Sequence, residues 1–152
     1  MQFLNNYSNR ELNIWAELIL DILVSFYFFP KIFPLIIDGQ LYSDALVGII
    51  ATSIIISIIY SIFVFGAINT LTKREEKDER DYVYELKSYR ISNIISQVSI
   101  YLLISLIVFN PINQVRLNEF TAPMIAMVLL IITLLSSTGK SVNQLYYYRK
   151  NI

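Results

Sequence analysis

Apolar residues fall in four long runs, at about residues 14–37, 45–71, 91–112 and 122–145, and polar residues collect between them. Each run reaches the roughly 20 residues that cross about 30 Å of hydrocarbon at about 1.5 Å per residue. Backbone amides in lipid must be satisfied within the segment, so each run predicts a transmembrane helix. Asp38-Gly39-Gln40 separates the first run from the second, and Asn110-Pro111 ends the third. Pro123 suits the first turn of the fourth helix. The polar stretch before the third run has no Gly or Pro, and Glu76–Arg80 and Lys77–Asp81 stand four apart, so helix is expected to begin before the membrane. The predicted fold is all-α: a single domain over residues 1–152, an integral membrane bundle of four transmembrane helices at about 14–37, 45–71, 82–112 and 122–148. A charged cytoplasmic hairpin covers 72–90, and the third helix extends into the cytoplasm. No internal repeat is visible.

Composition strengthens this picture. Hydrophobic residues make up 55% of the 152, above the usual share in a soluble domain. Of the 24 charged side chains, twelve lie between Lys73 and Arg90, leaving the rest of the chain nearly bare. The stretch from Met1 to Glu17 is polar, has one basic residue and is followed by no small-residue cleavage site, so the first run is expected to be a retained helix. Net charge is zero, which gives no reason to expect nucleic-acid binding. The chain has no Cys and no His. Disulfides, thiolate nucleophiles, Cys/His zinc sites and the commonest general base are therefore excluded, and no catalytic, metal or cofactor site is expected.

Orientation follows from Lys and Arg in the loops. The segment after the second run carries Lys73, Arg74, Lys77, Arg80, Lys87 and Arg90, the C-terminal tail carries Arg149 and Lys150, and the N-terminal segment carries Arg10. Residues 38–44 have none and 113–121 only Arg116. Both termini and the hairpin are thus expected in the cytoplasm. Trp15, Tyr82, Tyr84, Tyr89 and Tyr146 to Tyr148 would lie near that same interface.

Four features carry candidate chemistry. On a helix, Asp78, Asp81 and Glu85 share one flank, within about 60°, and Arg80, Lys87 and Arg90 lie on the other side. These six residues form either a solvated stalk or a docking surface for a neighbouring subunit or partner. Carboxylates spaced along one helix rarely enclose a cation. The first helix carries Glu17 and Asp21 one turn apart, and the last carries Lys140 and Gln144. A carboxylate at the depth of Asp21 needs a partner or water, so an Asp21–Lys140 pair is expected, with a proton or cation site as the alternative. Ser53, Ser57 and Ser61 in the second helix, and Ser92, Ser96 and Ser99 in the third, recur at helical spacing. They predict a packing seam between those two helices, or a polar pore lining. Lys31, between Pro30 and Pro34, is expected to snorkel to the outer interface.

The hairpin and tail together resemble a set of small bacterial four-helix membrane proteins of uncharacterised function. That set carries an Asp-Glu-Arg-Asp/Glu motif after its second helix, a basic residue before its third and a Gln-x-x-Tyr-Tyr-Arg-like tail. Here the elements read Asp78-Glu79-Arg80-Asp81, then Lys87 and Arg90-Ile91, then Gln144-Leu145-Tyr146-Tyr147-Tyr148-Arg149, and Trp15 resembles the Trp that opens the first helix. The chain departs from the set at Ser136-Ser137, where the pattern has Ala-Glu. The resemblance implies four helices and a bacterial inner membrane, and no activity.

The expected function is therefore non-enzymatic. The chain reads as an oligomeric sensor, accessory or docking component that signals through its charged hairpin, a role that would fit bacterial stress or phage response. Its expected partners are the lipid bilayer, further copies of itself and a cytoplasmic protein. The alternative is a small transporter or channel using Asp21, Lys140 and the serine-lined helices.

Overall fold

The computed structural model describes residues 8–40, 44–72, 78–109 and 122–150. They form four helices: α1 (Asn9–Ile37), α2 (Asp44–Leu71), α3 (Glu79–Phe109) and α4 (Ala122–Lys150). All four are long and apolar enough to cross a membrane.

Two helices start earlier than hydropathy suggests, because capping rather than lipid sets their ends. The Ser8 hydroxyl accepts the Glu11 N–H at 3.1 Å, so α1 begins at Asn9 instead of residue 14. Asp81 accepts the Asp78 N–H at 3.2 Å while the Asp78 carbonyl receives the Asp81 N–H at 3.0 Å, and α3 begins at Glu79 instead of residue 82. The expected end of the third helix at 112 lies outside the described residues. α1 runs through Pro30 and Pro34 and stops at Ile37, where Gly39 takes φ 66°, a left-handed conformation that suits glycine. α2 contains one π-type turn, Ser61–Phe65. Just before it, the Tyr60 hydroxyl donates to the Ala16 carbonyl of α1 at 3.1 Å.

α1 and α4 form the centre of the molecule. α2 packs on α1 and touches α4 briefly, while α3 packs along the other side of α4. Phe28 and Ile32 of α1, Leu46 of α2 and Met127 of α4 make the buried apolar cluster, at the end away from Ser8. Large apolar side chains cover the outside, among them Phe26, Phe63 and Leu86, each more than 70% exposed. Only 6% of the most apolar stretch of α2, and the same share of α3, is buried. Apolar surface of that extent calls for lipid or another protein.

The seam expected between the second and third helices does not form. α2 and α3 do not pack on each other among the described residues, so Ser61 and Ser99 cannot face one another. Ser53 and Ser57 bond to the carbonyls of Ile49 and Ser53 of their own helix, each at 2.9 Å. A hydroxyl satisfied one turn back on its own helix has no need of a neighbour. Ser92 and Ser96 of α3 turn instead to α4. Ser136 donates to the Ser92 carbonyl at 3.0 Å and lies 2.6 Å from the Ser92 hydroxyl, and it accepts from Ser96 at 2.8 Å. Three bonds use the full capacity of one hydroxyl. Nearby, a Cβ on Gly139 would sit 2.7 Å from the Ile95 side chain, so α3 and α4 approach closely where their residues are small.

Candidate functional site

The N-terminal parts of α1 and α3 meet the C-terminal part of α4 at one end of the molecule, around a polar recess of about 160 Å³. Three levels of charge follow one another inward from it.

The outermost level centres on Asp81. Its carboxylate pairs with the Arg10 guanidinium of α1 and accepts the Tyr148 hydroxyl of α4 at 2.6 Å. Three helices are thus held by one acid. Aromatic rings brace it. Tyr84 stacks on Tyr147 with centroids 5.8 Å apart and meets Tyr148 edge-on, while Arg149 lies over Trp15 at 5.5 Å.

The middle level is an ion pair, Lys140 Nζ to Glu17 Oε2 at 2.9 Å, with the Ser141 hydroxyl 3.4 Å from the same oxygen. Lys140 also sits 5.0 Å from the Tyr89 ring, and Glu85 and buried Gln144 line the recess beside it. The partner of Lys140 is therefore Glu17, not Asp21 as depth along the helices suggests. One turn separates the two acids, and the Lys140 side chain reaches the nearer of them to the recess.

The innermost level is Asp21, 6% exposed, which receives the Thr138 hydroxyl at 3.4 Å. It backs onto an apolar groove lined by Ile22, Phe26, Phe29 and Pro30. No described cation lies within 4 Å of its carboxylate.

The two flanks of α3 fare differently. Asp81 and Glu85 face the recess, whereas Arg80, Lys87 and Arg90 are exposed. Asp78 stays outside, 3.8 Å from Arg80. A ring in which the acidic flank of one copy meets the basic flank of the next would need Asp81, which is spent within its own chain. Lys87 lies 5.0 Å from the Tyr147 ring and keeps its exposed position. Lys31 is exposed and lies 4.0 Å from the Tyr27 ring.

The sequence does not single out Arg10, Ser136, Thr138, Ser141 or Tyr148 as site residues. The run Ser136-Ser137-Thr138 with Ser141 was the available signal, since small polar residues on one face of a membrane helix mark a contact. Among the described residues, no group of three His, Cys, Asp or Glu side chains is placed to hold a metal ion.

Comparison with known proteins finds no match. No family model, curated protein or solved structure is similar to the chain.

Proposed function

We propose that the chain is a non-catalytic multi-pass protein of a bacterial inner membrane, with both termini inside, which assembles with copies of itself and docks an acidic cytoplasmic protein. One observation carries this reading: the acids Asp81 and Glu85 are turned into the chain while Arg80, Lys87 and Arg90 point outward. The interior bonds make the head a firm platform, and its outward face carries this basic flank beside the exposed acids Asp78 and Glu79. Such a flank suits partner choice and encounter more than raw affinity.

A photo-crosslinking residue placed at Asp78 in cells tests it. Adducts with a soluble protein, lost when Arg80, Lys87 and Arg90 are all changed to Glu at equal expression, are the expected result. Adducts with lipid alone would overturn docking. Orientation is checked on the same cysteine-free background. Cysteines at Asp38 and Gln40 should react with an impermeant maleimide from outside, and one at Glu79 only after lysis; the reverse pattern would invert the topology.

Asp21 favours a second reading, transport, because a buried acid without a neighbouring cation beside an apolar groove could take up a proton or a lipophilic cation. Vesicles carrying the protein and a pH-sensitive dye separate the two. Docking expects no proton flux; a flux abolished by Asp21→Asn would put transport in its place.

A further inference from the structure

The lipid-facing side of α3 carries polar groups that nothing among the described residues satisfies. Asn93, Gln97 and Tyr101 are exposed, Tyr101 at 69%. At about 100° per residue they fall within about 80° of one another. Ser88, which is buried and accepts from Asn143 of α4, lies on the opposite face. Neither Asn93 nor Gln97 has a hydrogen-bond partner among the described residues. Arg90 is the last charged residue of α3, and Gln97 lies seven residues further along, about 10 Å deeper at about 1.5 Å per residue. An amide at that depth meets hydrocarbon, where an unbonded donor and acceptor are costly.

We infer that this stripe is the interface with a second copy of the chain, a two-fold dimer in which α3 packs in parallel on α3. The geometry commits to that occupant. Copies share one topology, so a two-fold axis along the membrane normal brings equal residues together at equal depth. A carboxamide both donates and accepts, so Gln97 satisfies Gln97 of the partner subunit and Asn93 does the same one turn nearer the head. A single-sign residue could not pair with itself in this way. Arg90, at the boundary, reaches outward along its stem into water rather than across the contact. In the middle of α2, Thr52, Ser53 and Ser57 bond their own helix, and its exposed amide, Asn69, lies only two residues from the end of the helix.

This interface rests on the assembly half of the proposed function and names the surface that performs it. Energy transfer between donor- and acceptor-labelled chains, diluted into lipid vesicles, tests it. Gln97→Leu should weaken self-association about fivefold to tenfold, and Asn93→Leu added to it should weaken it further, while Gln97→Asn stays near wild type. Leucine on a lipid-facing position leaves the fold of the monomer intact, which helicity checks. A cysteine at Ile104, on the same stripe, should form disulfide-linked dimers on oxidation, and one at Ile58 on α2 should not. A wild-type oligomer that links through the Ile58 position and ignores Gln97→Leu would overturn this interface alone. A monomeric wild type would overturn it together with assembly, leaving docking to be judged by the photo-crosslinks.

Discussion

Replacing Lys140 with Met should destabilise the protein by about 2–3 kcal/mol in detergent unfolding. Removing one partner of a buried ion pair costs about 3–5 kcal/mol, because the remaining charge is left without compensation. The figure here is lower because the Glu17 side chain keeps 33% of its surface exposed. Glu17 loses its ion-pair partner, and Asp21 and Glu85 lose the field of a cation at longer range. Glu17→Gln should cost less, since Lys140 then retains Glu85 and the Tyr89 ring 5.0 Å away. The double variant should recover part of the loss. The coupling between Glu17 and Lys140 should exceed that between Asp21 and Lys140, and a double-mutant cycle with the opposite order would reassign the pair.

The largest single loss is expected at Ser136. Ser136→Leu inserts a branched side chain where α3 and α4 approach across small residues, and it removes three hydrogen bonds. Overpacking typically costs about 1–3 kcal/mol and each membrane hydrogen bond about 0.6, so a loss of about 3 kcal/mol is expected. Ser136→Ala should cost about 1 kcal/mol, as the serines of α3 can turn back to their own carbonyls. Ser61→Leu should be close to neutral, because Ser61 faces no other serine. Thermal unfolding in detergent ranks the three, and equal melting of Ser136→Leu and Ser61→Leu would remove the seam.

The helices themselves were legible in the sequence because each depends on a local property, a run of apolar residues with a breaker at its end. Their neighbours were not. Serines at helical spacing announce a close contact but not its partner, and hydroxyls that bond their own backbone, as Ser53 and Ser57 do, look the same in sequence as those that cross to another helix. Depth was legible too, and it brought Lys140 to the right level beside α1. The choice between Glu17 and Asp21 turned on one helical turn and on the reach of a flexible side chain. The acidic flank of α3 was visible as a flank, but Arg10 and Tyr148, which draw Asp81 inward, lie 71 and 67 residues away from it.

The lack of packing between α2 and α3 has a consequence for how the protein is made. The chain consists of two helical hairpins, α1–α2 and α3–α4, and their helix packing runs chiefly through α1 and α4. The first hairpin can settle while the second is still being synthesised, since α2 does not pack on α3. Assembly then waits for α4, which emerges after the other three and carries Lys140 to Glu17 and Tyr148 to Asp81. Until that moment, Glu17 of α1 lacks the lysine that α4 brings to it. Termination before α4 would therefore leave an acidic fragment for membrane quality control rather than a half-working protein.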